Sequence, residues 1–185
     1  MFSSPPRVRL WTQTVFFLIV FLLTLVIMGT IGVNGSISFE NLEKGCLLYI
    51  TIDDKDVPHY KNAYCHFPIV AAAVICLFTL VFMALGIMVL RRKEEYAPRN
   101  VSISLLAASL FLTLFSFAIT GEIGIGLKKG CESILPNLSL ALCRSSNNFS
   151  SLYVAQVCSG LMGGVWLFIL VLEWFNFKSR PSRLA

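Results

Sequence analysis

Charged side chains are scarce in this sequence. Asp, Glu, Lys and Arg make up 14% of the 185 residues, whereas hydrophobic residues make up 56%. A soluble domain of this length has about a quarter of its residues charged and keeps its apolar segments short. Here the apolar residues form long runs. The composition therefore argues against a soluble globular protein and indicates that a lipid bilayer surrounds most of the chain.

The residue patterns of metal centres, common active sites and nucleic-acid-binding surfaces are also missing. The sequence has two histidines and no Cys-x-x-Cys or mixed His/Cys ligand spacing. It has no Gly-x-Ser-x-Gly, no His-Glu-x-x-His and no phosphate-binding glycine loop after a strand. Basic residues are not interleaved with aromatic residues in a patch. We therefore predict no enzyme activity, no cofactor, no metal site and no nucleic-acid partner.

Four apolar runs predict the architecture. Each reaches the roughly 20 residues that a helix needs to cross a hydrocarbon core about 30 Å thick, and none alternates with the period of a membrane barrel strand. The expected fold is an all-α membrane protein, a single four-transmembrane-helix bundle over residues 1–185. The predicted helices cover about 12–33, 67–90, 101–127 and 152–176. The first run could instead be a cleaved signal sequence, but it exceeds the usual apolar length of about 7–15 residues, so we favour a retained helix.

The distribution of basic residues predicts the orientation. Segments 1–11, 91–100 and 177–185 hold more of the Lys and Arg residues than the longer loops 34–66 and 128–151. Because cytoplasmic segments are enriched in Lys and Arg, we expect both termini in the cytoplasm and both longer loops on the extracellular or lumenal side. The basic residues of the cytoplasmic segments are Arg7, Arg9, Arg91, Arg92, Lys93, Arg99, Lys178, Arg180 and Arg183.

The cysteines agree with this topology. Cys46 and Cys65 lie in the first outer loop, and Cys131 and Cys143 lie in the second. Cysteines on the oxidising side of a membrane form disulfides, and we favour pairing within each loop, with pairing between the loops as the alternative. The remaining two, Cys76 and Cys158, lie in predicted helices and are expected to be apolar packing residues.

Asparagine sequons mark the same two loops. Asn137 is the best candidate for N-glycosylation, since Asn34 and Asn148 lie close to predicted helix ends. A fourth sequon at Asn100 falls on the predicted cytoplasmic side and is interpreted as chance.

Two carboxylates fall within the predicted spans, where ionisable residues are candidate functional groups. Glu122 lies near the outer end of helix three and Glu173 lies beside Trp174 at the inner end of helix four. We expect both to lie near the membrane interface, close enough to water to need no buried partner.

Small residues mark two helix faces. Helix three carries a hydroxyl stripe at helical spacing, which predicts close helix packing or, as the alternative, a polar pore lining. Helix four carries a Gly-x-x-x-Gly motif, for which packing within the bundle is favoured over dimerisation. These helix-packing residues are Ser109, Thr113, Ser116, Thr120, Gly160 and Gly164.

Several segments resemble a known family of four-pass proteins. "KGCLLY", "NAYCHF", "GCESILPNLSLALC" and the last span, which ends in Glu173-Trp174, are similar to elements of transmembrane protein 179 and its B paralogue, whose last span ends in Gln-Trp. The Trp-Gly-Leu-Trp-Cys-Cys signature of claudins is missing from the first loop. The resemblance implies a four-pass membrane protein without an established catalytic activity.

The leading hypothesis is a non-enzymatic integral membrane protein that acts as an accessory or organising subunit. Its disulfide-bonded outer loops and helix faces would bind another membrane protein or a second copy, with membrane lipid around the spans. The alternative is a small transporter or channel that uses Glu122 and the hydroxyl stripe. The expected location is the plasma membrane or the secretory and endosomal membranes.

Overall fold

The protein is a bundle of long helices. The structure, a computed structural model, describes residues 6–34, 36–37, 45–46, 48–49, 51–52, 58–59, 63–91, 99–134 and 149–179. Within these residues the helices are α1 (Pro6–Asn34), α2 (Ala63–Arg91), α3 (Arg99–Ile134) and α4 (Ser150–Ser179). Each contains a segment long and apolar enough to cross a membrane. The predicted four-helix membrane fold is confirmed.

The helices run beyond the predicted spans. α1 begins at Pro6, in the first helical position, where a proline costs no hydrogen bond. α3 continues to Ile134, so Lys128, Lys129 and Cys131 are helical, although the sequence placed them in a loop. Hydropathy marks the apolar part of a helix and gives no signal for its polar ends, which explains the difference.

Neighbouring helices pack with unequal closeness. α3 packs most extensively on α4, and α1 packs on both α2 and α4, whereas α2 and α3 contact each other far less. The first turns of α1 and α3 meet the last turns of α4 at one end of the bundle, which we call the terminal end. The opposite end, where the strands lie, we call the loop end. Between α2 and α3 the bundle has a loosely packed seam.

Buried residues recur along the helices at alternating intervals of three and four. This repeat places one residue per half-heptad in the bundle interior, as in a coiled coil. Its members are Gln13, Phe17, Val20, Thr24, Ile27 and Ile31 in α1, Ser102, Leu105, Ser109, Leu112, Ser116, Ile119 and Ile123 in α3, and Leu152, Ala155, Ser159, Met162, Trp166, Ile169 and Glu173 in α4. Polar residues begin the α1 and α3 repeats and end the α4 repeat, at the terminal end.

Aromatic side chains fill the middle of the bundle. Phe17 lies between Phe82 of α2 and Trp166 of α4, with ring centroids 6.2 and 5.9 Å apart, and Trp166 is fully buried. In a membrane the lipid tails are as apolar as the core, so van der Waals packing of this kind contributes to helix association in place of the hydrophobic effect.

Among the described residues between α1 and α2 are four short strands. β1 (Ser36–Ile37) pairs antiparallel with β2 (Gly45–Cys46), and β3 (Thr51–Ile52) pairs antiparallel with β4 (Pro58–His59). β1 packs near α1 and β3 packs on α3. The described strands therefore lie over the loop end of the bundle.

Candidate functional site

A disulfide ties the first loop to the bundle. Cys46 of β2 bonds to Cys65 in the first turn of α2, and their Cα atoms are 5.8 Å apart, within the usual range for disulfides. This is the predicted pairing within the first loop. Cys131 is disulfide-bonded as well; Cys143, its predicted partner, lies outside the described residues.

A close contact with α3 fixes the same loop a second time. Leu48 is fully buried, and the Tyr49 N–H donates to the Gly126 carbonyl at 3.4 Å. A Cβ added at Gly126 would come within 2.9 Å of the Tyr49 ring and 3.0 Å of the Leu48 side chain, so only glycine allows this approach. Tyr49 has a φ of 62°, a left-handed conformation that a bulky residue adopts only when its surroundings hold it there. The Lys129 ammonium lies 5.1 Å from the centre of the Tyr49 ring and adds a cation–π contact.

Together these contacts define a loop surface, by which we mean strands β1 to β4 with Leu48 and Tyr49, held on the ends of α2 and α3. Asn34, a predicted glycosylation site, is the last residue of α1 and leads into this surface. Asn137 and Asn148 lie outside the described residues.

A buried carboxylate forms a polar cluster at the terminal end, and here the sequence-based expectation is wrong. Glu173 is 5% exposed and has two side-chain partners. Gln13 Nε2 of α1 donates to Glu173 Oε1 at 2.6 Å, and Ser102 Oγ of α3 donates to Glu173 Oε2 at 2.6 Å. Glu173 was expected near water without a buried partner. It lies inside because it continues the buried three-four repeat of α4.

This Glu173 cluster, formed by Gln13, Ser102 and Glu173, adjoins a small cavity of about 30 Å³. Thr14, Phe82 and other residues from all four helices complete its lining. A volume of this size corresponds to about one water molecule in the liquid. The cavity is too small for an organic substrate, so the cluster is suited to joining helices and to holding a single small polar molecule.

The hydroxyl stripe of α3 faces α4. Ser109, Thr113 and Ser116 are buried, and each donates to a backbone carbonyl of its own helix at 2.6–2.9 Å. Thr120 Oγ1 lies 2.9 Å from both its own helix's carbonyl at Ser116 and Ser159 Oγ of α4. The stripe is thus occupied by helix packing and by bonds within α3.

The glycines of α4 face in different directions. A Cβ at Gly163 would lie 3.1 Å from the Phe117 ring, and one at Gly160 would lie 3.7 Å from Thr120. At Gly164 nothing lies within 4 Å, and the residue is exposed. Gly160 and Gly163 therefore pack against α3, whereas Gly164, which the motif predicted as a packing position, faces away from it.

The other candidate side chains named from the sequence are Glu122, Cys76 and Cys158, and within the described residues they do not form a catalytic or metal-binding site. Glu122 is half-buried, and within the described residues it has no hydrogen bond or ion pair. Cys76 is buried and Cys158 half-buried, and both are free thiols. The described part of the chain brings no three His, Cys, Asp or Glu residues together in a way that could hold a metal ion.

Four apolar helices, a core packed by a three-four repeat and a disulfide-anchored loop define the class: an integral, multi-pass membrane protein with a claudin-like architecture. The family description that matches residues 9–157 is "Transmembrane protein 179/179B Claudin domain". This match covers most of the chain, and the chain belongs to the transmembrane protein 179/179B family. The family model is described as a claudin domain, although the first loop of this chain lacks the Trp-Gly-Leu-Trp-Cys-Cys signature of claudins. No curated protein and no solved structure significantly matches the chain.

The family match includes Gln13 and Ser102 but ends before Glu173. Glu173 lies beyond residue 157, and its partners are 160 and 71 positions away in sequence. One signal in the sequence could have found it: extending the three-four repeat of α4 through Met162, Trp166 and Ile169 reaches Glu173.

Proposed function

We propose that the protein is a non-enzymatic accessory or organising subunit that binds another membrane protein through its loop surface. The observation that carries this function is the double anchoring of that surface, by Cys46–Cys65 on α2 and by Tyr49 on Gly126 of α3. A surface already held in its binding conformation loses less conformational entropy on association, which strengthens binding.

The position of the surface favours a membrane-embedded partner. The strands lie directly over the helix ends, so a protein that contacts them also meets the adjoining helix faces. Near the strands those faces expose large apolar residues such as Val70, Ile125 and Val154, which suits a partner that is itself in the bilayer. A second copy of this chain satisfies the same requirement.

A matched pair of glycine variants tests this function. Gly126→Ala displaces Leu48 and Tyr49, because the added methyl group would lie 2.9 Å from the tyrosine ring; Gly121→Ala in the same helix meets nothing within 4 Å. Each variant and the wild type are purified in mild detergent from cells after proximity labelling, and the co-purifying proteins are identified. We expect a reproducible partner with the wild type and Gly121→Ala, and its loss with Gly126→Ala.

Two outcomes count against the function. If Gly126→Ala retains the partner at the wild-type level, the loop surface is not the binding site. If the wild type retains no reproducible partner and is monomeric by light scattering, the accessory role fails altogether.

One observation keeps transport as a second candidate. Glu122 is a half-buried carboxylate in a membrane span with no hydrogen-bonding partner among the described residues, and such groups often belong to ion or proton pathways. The hydroxyl stripe gives this candidate less support, because its oxygens are engaged in helix packing. Loss of an ion flux in reconstituted liposomes on Glu122→Gln would favour transport over the accessory role.

A further inference from the structure

An apolar groove runs between α3 and α4 on the membrane-facing side of the bundle. Its volume is about 650 Å³, within the range of about 300–1,000 Å³ typical of small-molecule sites. The small side chain of Ala107 leaves room for the groove, and larger side chains form its walls. Leu106, Ala107 and Leu110 of α3 and Leu170, Val171 and Trp174 of α4 line it.

The groove has an apolar body and a polar mouth. Lys178 follows Trp174 by four residues on α4, and Asn100 precedes Ile103 of the groove by three residues on α3, so each lies one turn beyond the lining on the same helix face. Both are exposed. Trp174, also exposed, is the residue type that marks the boundary between hydrocarbon and headgroups. The Lys178 ammonium and the Asn100 amide therefore lie at the depth of the lipid headgroups, beside the end of the apolar groove.

We propose that this groove binds an anionic phospholipid, with an acyl chain along Ala107 and the phosphate at Lys178. The lining is almost wholly apolar, with the Trp174 indole N–H as its one side-chain hydrogen-bond donor. Interfaces between membrane helices are enriched in small residues, whereas Trp174, Phe175 and Leu110 are bulky and Ala107 is the one small residue in the lining. The charge also fits: the terminal end carries the excess of basic residues, and a leaflet rich in anionic lipid attracts such segments.

The test measures lipid retained on the purified full-length protein. Protein in detergent is incubated with palmitoyl-oleoyl phosphatidylglycerol or with the corresponding phosphatidylcholine, and bound lipid is counted by native mass spectrometry. One site with a preference for phosphatidylglycerol of about fivefold is expected, since one lysine near the surface contributes an effect of that size.

Two matched pairs of variants locate the site. Ala107→Phe fills the groove, whereas Ala118→Phe changes an equally exposed alanine eleven residues further along α3 and outside the lining. Lys178→Glu reverses the charge at the mouth, whereas Arg91→Glu reverses an exposed charge at the end of α2. We expect Ala107→Phe to abolish binding of both lipids and Lys178→Glu to remove the preference for phosphatidylglycerol, with both control variants like the wild type.

Several results would overturn the proposal. Equal retention of the two lipids by the wild type would remove the role of Lys178. An equal loss with Lys178→Glu and Arg91→Glu would mean general surface attraction without a site. Normal retention by Ala107→Phe would place the lipid elsewhere, and a dimer that disappears with Ala107→Phe would mean that a second copy occupies the groove. If Ala107→Phe does not fold, the two charge variants, whose changes lie at exposed positions, still decide the question.

Discussion

The carboxylate of Glu173 joins three helices at once. Its two oxygens accept hydrogen bonds from Gln13 of α1 and Ser102 of α3, while its own backbone belongs to α4. A buried polar group is costly unless it is hydrogen-bonded, so Gln13 and Ser102 each depend on Glu173 for a partner, and Glu173 depends on both. The cluster specifies how α1, α3 and α4 align at the terminal end.

Replacing Glu173 by leucine should destabilise the protein. The change leaves Gln13 Nε2 and Ser102 Oγ buried without an acceptor, at a cost of about 1–3 kcal/mol for each donor. Glu173→Gln keeps one acceptor oxygen and should cost less. Thermal unfolding of the purified variants in detergent measures the difference.

The double variant Glu173→Leu/Gln13→Leu serves as the control. It removes the Gln13 donor together with the Glu173 acceptor, so only Ser102 Oγ is left without its acceptor. The double variant should therefore be more stable than Glu173→Leu alone. If Glu173→Leu unfolds at the wild-type temperature, the cluster does not hold the helices together.

At the scale of elements, α3 and α4 form the closest helix pair, and small residues make the approach possible. The Phe117 ring packs directly on Gly163, whereas Gly164, one position further, has open space around it. Adjacent glycines in one helix therefore offer a test of which face is the interface.

Gly163→Leu should destabilise the protein and Gly164→Leu should leave it nearly unchanged. Overfilling a packed interface typically costs about 1–3 kcal/mol, while a side chain added at Gly164 points away from α3. The unfolding temperatures of both variants, measured side by side in detergent, provide the comparison. Equal destabilisation by the two substitutions would contradict this assignment of the interface.

The disulfide belongs to the same scale, since it connects a strand to a helix. Cys46 and Cys65 are 19 positions apart, and closing a loop of this length stabilises a protein by about 3 kcal/mol in the chain-entropy account. The double variant Cys46→Ser/Cys65→Ser should unfold at a lower temperature than the wild type. Reducing agent should lower the wild-type value more than that of the variant; an equal response of both would count against a stabilising bridge.

Particular residues show which features of the structure could be predicted from the sequence. The four spans followed from apolar runs, because only helices and closed barrels satisfy their own backbone hydrogen bonds in lipid and these runs do not alternate as barrel strands do. The cysteine pair followed from its position in one loop. Glu173 was misplaced, since its burial depends on Gln13 and Ser102, which only the folded bundle brings near. Gly126 was missed for the same reason: nothing near it in sequence indicates that Tyr49 packs against it.

At the scale of the whole molecule, the start of α1 and the end of α4 lie at one end of the bundle, as the Gln13–Glu173 hydrogen bond requires. The excess of basic residues in the segments near that end predicts that it faces the cytoplasm. The loop surface and the predicted glycosylation sites would then face the opposite compartment.

Glycosylation tests this orientation. Treatment of the expressed protein with an N-glycosidase should increase its mobility on a gel, because Asn137 would be modified. Asn137→Gln should migrate like the deglycosylated protein, and Asn34→Gln and Asn148→Gln show whether either site is also used. Modification at Asn100 alone would contradict the orientation, since that residue lies at the start of α3, at the terminal end.

The two anchors of the loop surface have a mechanical consequence. One anchor is on α2 and the other is on α3, the pair of neighbouring helices that touch each other least. The loop surface therefore connects α2 to α3 across the seam, and it limits how far these two helices can separate at that end. A partner bound to the loop surface would contact a segment joined to both helices, and would restrict their separation at that end through the two anchors.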